Sequence, residues 1–314
     1  MSDPNFPANL AIQPSQPASV HKSGTTLHFD QESGIETYGI AGRVWEAAYA
    51  LAAYTAPPMG GSNDGGFEFD PPCSFFRADA NLTVVEVGSG TGYAGMHLAQ
   101  QISLFRHRGV DRGRPASDMV ILTDLPNVIP LLDKGLQEHT GSFGRVEVRA
   151  QALAWGDADH AAALTRGLSD SGRSITHVLC SDLVYFPFLY PPLLRTLLTL
   201  TSPPFCDPGT EIIIGYRMRS LVKESPFWQV FGTWFTFQAV LAKRKRSGGD
   251  EEDSWDRFGQ TNDTLIFVAT RRPESLKWEV PVLDGQLMSG YGPTPPTLDD
   301  TFESLLMFGI ADDV

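Results

Sequence analysis

Cysteine is scarce. Cys73, Cys180 and Cys206 are the whole complement of 314 residues, and no two form a C-x-x-C pair. That spacing argues against a structural zinc or a disulfide framework and suits a reducing compartment. Basic residues are also in deficit, 24 Lys and Arg against 37 Asp and Glu, giving a net charge of −13. An acidic balance of this size argues against a non-specific nucleic-acid or anionic-membrane binder. No run approaches the roughly 18 apolar residues of a membrane span. The opening MSDPNFPANLAIQPSQPASV has no basic segment ahead of an apolar one, so no signal peptide is expected. His97, His107, His139, His160 and His177 lack metal-ligand spacing, and no G-x-S-x-G elbow or internal repeat is present. The expectation is a soluble cytoplasmic protein, with the nucleus left open, that binds no metal, nucleic acid or membrane.

What is present centres on Leu82 to Gln100, LTVVEVGSGTGYAGMHLAQ. Leu82, Val84, Val85 and Val87 form an apolar, β-branched run of the kind buried in a parallel sheet. Gly88, Gly90 and Gly92 follow, and from Tyr93 the spacing of Met96, Leu98, Ala99 and Ile102 turns helical. Strand, glycine turn and helix make a nucleotide-cradling unit, with bare backbone at the turn and unpaired N–H groups at the helix start. Gly90, Gly92 and Gly95 also satisfy G-x-G-x-x-G, the dinucleotide fingerprint, but a lone match is weak. Glu86 separates the readings. A carboxylate there is unhelpful beside a pyrophosphate and suits a ligand carrying an amino group and a sulfonium.

Around this unit the chain alternates strand and helix. Residues 1–24, rich in Pro, Ser, Asn and Gln, read as a flexible arm. Leu27–Phe29 reads as a short strand or hairpin edge, and Gly34–Thr55 ends in a helix carrying Trp45, Ala48, Tyr49, Ala52 and Ala53. Met59–Phe69 is a glycine-rich loop and Arg106–Asp118 a polar one. Later strands are expected at Val120–Thr123, Val146–Leu153, His177–Ser181, Glu211–Tyr216 and Leu265–Thr270. Helices are expected at Pro126–His139, Ala158–Leu168, Pro191–Leu200 and Ser225–Thr236. The alternation calls for an α/β protein with a mostly parallel sheet and helices on both faces. Residues 25–272 form the expected domain. The acidic, proline-containing tail 273–314 either docks as one helix near Phe302–Phe308 or stays loose. Lys243-Arg-Lys-Arg246 resembles a nuclear-localisation patch, but the acids at 250–253 make a solvated loop the better reading.

In such a sheet, ligands sit beyond the carboxyl ends of the strands. The residues there are Glu86 to Gly92, Asp124, Trp155, Ser181 and Asp182. Asp124 offers a carboxylate to a ribose diol, against the alternative of capping a helix ahead of Pro126. Trp155 offers a face to an adenine ring, with stacking worth about 0.5–1.5 kcal/mol, against the alternative of a core tryptophan. Trp45 on a helix would ordinarily be packing.

Five motifs occur in order: G-x-V-W-x-A-A at Gly42–Ala48, V-E-V-G-S-G-T-G-x-x-G at Val85–Gly95, T-D-L-P at Thr123–Pro126, L-A-W-G at Leu153–Gly156, and D-x-x-Y at Asp182–Tyr185. Together, over about Gly34 to Arg272, they resemble methyltransferase family 16. These are seven-stranded, Rossmann-like, S-adenosylmethionine-dependent protein-lysine methyltransferases that modify elongation factors and chaperones. The resemblance implies S-adenosyl-L-methionine contacts from Trp45, the turn Gly88–Ser89–Gly90, Asp124, Trp155 and the Ser181 backbone, beside Glu86. The loops at 59–69, 106–118 and 243–254 are longer than the family pattern expects, and the acidic tail has no counterpart, so the substrate stays open.

Lysine chemistry asks for a neutral amine. With a reference pKa near 10.4, only about one lysine in 2,500 is neutral at pH 7, a deficit of roughly 4.6 kcal/mol. Burial and a nearby sulfonium both lower that pKa. Asp182 is expected to orient the ammonium on entry and Tyr185 to shape a narrow aromatic channel, against capping and packing as the alternatives. The partner is then a protein presenting a lysine. A small-amine methyltransferase of the same fold, an NAD-dependent oxidoreductase and an inactive binding module are the competing readings, and the oligomeric state is open.

Overall fold

The short β-branched runs become a sheet. In the computed structural model, which describes residues 12–17, 27–57, 67–76, 81–108, 117–244, 255–259, 263–292 and 298–307, five strands lie parallel. They are β2 (Thr83–Val87), β3 (Met119–Asp124), β4 (Glu147–Ala152), β5 (Ile175–Ser181) and β6 (Cys206–Arg217). The sheet has seven strands, in the order β4-β3-β2-β5-β6-β10-β7. β10 (Thr264–Arg271) runs antiparallel between β6 and β7 (Phe235–Ala239). The chain moves from β2 outward to β3 and β4, then returns to place β5 on the other side of β2. That reversal opens a crevice at the carboxyl ends of β2 and β5, where open α/β sheets bind ligands.

Alternation along β2 divides the core. Val85 and Val87 face one apolar layer, with side chains from α5 (Ala158–Asp170), α6 (Tyr190–Leu200) and α7 (Leu221–Trp234). Val84 faces the other, with α2 (Glu46–Tyr54), α3 (Tyr93–Arg108) and α4 (Ile129–Glu138). Helices therefore cover both faces, as the βαβ alternation requires.

Several stretches differ from expectation. Trp45 is not on a helix: it is the extended residue (ψ 150°) immediately before α2, which frees its ring to turn toward the crevice. Leu27–Phe29 forms no strand. Leu27 is buried, Phe29 packs on Tyr93 at 5.4 Å, and Asp30 then caps α1 (Gln31–Tyr38) by accepting from Ser33 N–H at 3.1 Å. Within the stretch expected as an arm, Ser15 is buried, donates to the Val44 carbonyl and lies 2.9 Å from the Tyr49 hydroxyl. Residues Arg106–Arg108, expected in a loop, extend α3.

Phe67–Phe69, expected in a glycine-rich loop, belongs to β1 (Phe67–Asp70). It pairs with β8 (Leu241–Arg244), and β8 with β9 (Asp256–Arg257), as a separate three-stranded sheet. Alternation explains it: Phe67 and Phe69 meet Phe258 edge-on at 5.4 and 4.9 Å while Glu68 and Asp70 are exposed. Lys243 and Arg244, expected in a solvated loop, lie in β8. The remainder of that basic run, the acids after it, residues 59–66 and both glycines of the 106–118 loop lie outside the described residues.

In the tail, α9 (Thr301–Met307) docks on α7. Asp299 pairs with Arg272 at 2.9 Å, Gln229 Nε2 donates to Glu303 at 2.9 Å, and Phe302 stacks on Trp228 at 5.1 Å. Among the described residues no helix is long and apolar enough to cross a membrane. Because the Phe302 ring is fully buried, Phe302→Ala is expected to cost about 3–5 kcal/mol of stability in a urea titration. Met307→Ala, on the exposed side of the same helix, is expected to stay within about 0.5 kcal/mol.

Candidate active site

The turn after β2 is clamped to the end of β3. Ser89 N–H donates to the Thr123 carbonyl at 2.9 Å, Thr123 N–H to Ser89 Oγ at 3.0 Å, and Thr123 Oγ1 to the Glu86 carbonyl at 2.6 Å. The next residue, Asp124, is thereby set beside the glycines. Its Oδ2 accepts from Gly90 N–H and its Oδ1 from Leu125 N–H, each at 2.7 Å. The capping alternative for Asp124 is not what forms: Val128 precedes α4, with no side-chain cap. Burial raises the Asp124 pKa, opposed by those two N–H groups.

Gly88 turns with φ +61°, and a Cβ there would strike the Trp155 ring at 2.8 Å and Leu183 at 2.9 Å. The tryptophan thus lies directly on the turn. Gly95 serves a different contact. Glu86 projects from β2 under the first turn of α3, where its Oε2 accepts from Gly95 N–H at 3.2 Å, and a Cβ on Gly95 would stand 2.5 Å from that oxygen. Glu86 is buried, and desolvation raises its pKa from 4.5 to about 8, with Ser89 and Gly95 hydrogen bonds opposing and Asp124 adding to the rise. Among the described residues no basic side chain contributes to that balance. It is a buried carboxylate facing a crevice, and a cation would favour its ionised form.

On the far wall, β5 ends at Ser181 and Asp182 takes a left-handed conformation, φ +62°. Its N–H donates to the Gly215 carbonyl at 2.7 Å. The Asp182 side chain is 0% exposed, and both oxygens are taken by the Arg219 guanidinium, Oδ1 by Nη1 at 2.8 Å and Oδ2 by Nη2 at 2.5 Å. The carboxylate expected to orient an incoming ammonium is therefore already in an ion pair, because β6 ends beside β5 and the segment after it returns Arg219 to the crevice. Glu224 fixes that segment by accepting from Arg219 N–H at 3.1 Å and from Tyr216 at 2.5 Å. Trp45 sits between Arg43 (4.3 Å) and Arg219 (5.4 Å), and its Nε1 donates to the Ile40 carbonyl at 3.0 Å. Tyr185 lies edge-on to Trp155 at 6.5 Å, its hydroxyl pKa raised by burial and by Asp124 and Asp182.

One cleft of about 440 Å³ gathers all of these: Trp45, Glu86, Gly88, Ser89, Gly90, Asp124, Trp155, Ser181, Asp182 and Tyr185 line it. Arg219, Tyr38, Tyr93 and Phe186 line it too and escape the sequence reading. Arg219 had a signal: it lies two residues past the end of β6, the same place relative to its strand as the others. Among the described residues no group of three His, Cys, Asp or Glu is placed to hold a metal ion.

An open, mostly parallel sheet with this crevice at its switch point is a Rossmann-like fold. Residues 21–232 match the model of the lysine methyltransferase family, methyltransferase family 16. The chain belongs to that family and is a protein-lysine N-methyltransferase, a class that draws on a methyl donor of the S-adenosylmethionine type. It is similar to EEF1A lysine methyltransferase 3 of Xenopus tropicalis, 28% identical over 218 residues, 69% of this chain and 71% of that protein. The mouse (Mus musculus) protein of the same name is 29% identical over 63% of this chain and 64% of its own length. Protein-lysine N-methyltransferase EFM6 of Saccharomyces cerevisiae is 29% identical over 43% of this chain and 50% of its own. The matched stretch thus spans half of the yeast protein and just under two thirds of the mouse one.

The Glu86 carboxyl makes a pH prediction. Its folded pKa is raised, so its contribution to stability is complete below the ordinary value of 4.5 and is lost as pH rises through about 8. Between pH 5 and pH 9 the thermal midpoint of the free protein should fall more steeply than that of Glu86→Gln. Parallel midpoints across that range would contradict the assignment.

Proposed function

We propose that the cleft binds S-adenosyl-L-methionine and that the acceptor is a lysine of a translation elongation factor, the kind of protein named in the frog and mouse relatives. The observation carrying the cofactor reading is the pair of cleft-lining carboxylates on either side of one glycine turn, Glu86 buried and Asp124 half-buried. Their chemistry fits the ligand: a carboxylate with a raised pKa and no cationic partner suits an amino group, and a second carboxylate suits a ribose diol. Gly88, Ser89 and Gly90 would cradle the ligand by backbone, and Trp155 would stack on its base. Trp45 and the Ser181 backbone would close its remaining sides. When bound, the donor supplies an activated methyl on a sulfonium.

The residues of the chain then have three tasks. Glu86 and Asp124 hold polar groups of the donor at fixed points. Tyr185, kept protonated by burial, narrows the approach and excludes water, which favours the neutral form of an entering lysine. Asp182 meets the ammonium only where the Arg219 guanidinium yields; that side chain is 33% exposed and has room to move outward. Asp182 and Arg219 act as one unit, an ion pair that a second cation can enter. A cytoplasmic setting follows from an elongation-factor substrate.

The test is transfer of labelled methyl from S-adenosylmethionine into lysate proteins, with the site identified as methyl-lysine. A labelled band at the mass of an elongation factor is expected. Asp124→Ala should raise the donor KM at least about tenfold, the cost of charge-assisted hydrogen bonds. Label confined to small amines would overturn the protein-substrate reading. An unchanged donor KM would overturn the role of Asp124.

A further inference from the structure

Large apolar side chains exposed singly on a surface are ordinary; several together at the mouth of a cleft are not. Phe188 is 59% exposed, Val222 87% and Leu221 45%. They flank residues that line the same cleft. Phe188 lies between the cleft-lining Phe186 and Leu189, and Leu221 and Val222 follow the cleft-lining Arg219. The two segments are tied together where the Tyr190 hydroxyl donates to the Lys223 carbonyl at 3.2 Å.

An aromatic series also runs from the floor to the rim. Trp155 meets Tyr185 at 6.5 Å, Tyr185 meets Phe186 at 4.8 Å, and Phe186 stacks on Phe188 at 5.5 Å with planes 13° apart. Stacking fixes the exposed ring in one orientation before any partner arrives, so little side-chain entropy remains to be lost on contact.

We infer that Phe188, Leu221 and Val222 form a docking rim for the segment of the substrate protein that carries the target lysine, gripping an apolar side chain beside that lysine. This rests on the reading of the cleft as the active site. The occupant follows from the chemistry: a protein-lysine methyltransferase must bring a protein surface against the mouth of its cleft, and a free small amine would leave these side chains uncovered. Of the nearby charges, Arg219 is engaged with Asp182 and Arg217 with Glu46 at 3.0 Å, while Lys223, next to Val222, is exposed. Phe188, Leu221 and Val222 themselves offer apolar contact.

The test compares wild type with the double variant Phe188→Ser, Val222→Ser in the lysate methylation assay, varying lysate and donor concentrations separately. The control is Val282→Ser, Leu283→Ser, a pair equally exposed but on the chain beyond α7. The rim variant should need about tenfold or more lysate for half-maximal rate, with donor KM, maximal rate and thermal midpoint unchanged. The control variant should match wild type throughout. An unchanged lysate requirement in the rim variant, or an equal loss in the control, overturns the rim. A rise in donor KM would instead mean that the substitutions disturb the cleft, which also overturns it as an acceptor surface. No label with wild type would sink the parent reading, and this inference with it.

Discussion

Glu86 leaves an otherwise apolar strand to sit beneath the first turn of α3, and the backbone around it is shaped to that burial. Gly95 has no side chain because the carboxylate occupies that space, and its N–H supplies a hydrogen bond in return. The Glu86 carbonyl, one atom group away, receives the Thr123 hydroxyl that locks β3 to the glycine turn. A buried carboxyl near neutrality costs stability that a buried valine would not. On the proposed reading of the cleft, Glu86 is held in a form that the arrival of a positive ligand improves. Asp124 follows from the same lock, since its place beside Gly90 depends on where β3 ends.

The opposite wall is built on a second polar network that reaches the tail. Phe302 of α9 packs on Trp228 and Tyr216; Tyr216 donates to Glu224; Glu224 holds the Arg219 backbone; and Arg219 covers Asp182. From Tyr216 to Asp182 each polar member is satisfied by the next, which keeps such a network favourable in a low-dielectric interior. The left-handed Asp182 is tolerable for the same reason. Its backbone N–H and both carboxylate oxygens are fixed from outside, so the surroundings determine a conformation that the residue alone disfavours. Packing in the tail thus bears on the geometry of the cleft through contiguous contacts rather than by proximity.

Much of this is legible in the sequence, and the reasons are physical. β2, β3 and β5 show because each is a short, largely apolar run ending at residues unlike it: glycines after Val87, an acid after Thr123, Asp182 after Ser181; β4, EVRAQA, is not such a run and shows by its place in the βα alternation. The ligand-facing residues show because the strand ends give their positions. β7 does not show. Trp234 ends α7 and Phe235 begins β7 with no glycine or proline between them, so the period changes from 3.6 to 2 inside one aromatic stretch. β1 is hidden by the glycines before it. The Asp182 ion pair is hidden because its partner is 37 residues away and comes from a segment that reads as surface. Sequence shows which acid ends a strand; only the fold shows which base returns to meet it.

The two scales of recognition at the cleft divide the work of choosing a substrate. A net charge of −13 draws basic protein surfaces from a distance, but at physiological salt that attraction fades beyond about 8 Å and does not separate one lysine from another. Selection is then left to the mouth, where Arg219 and Arg217 are already paired and the exposed Phe188, Leu221 and Val222 are apolar. A lysine with polar neighbours would enter at the cost of stripping water from them. One beside an apolar side chain would bury that side chain against Phe188 and Val222 and gain by it. On the proposed reading, the acidic surface sets how often partners arrive, and the rim sets which of their lysines stays long enough to reach Tyr185.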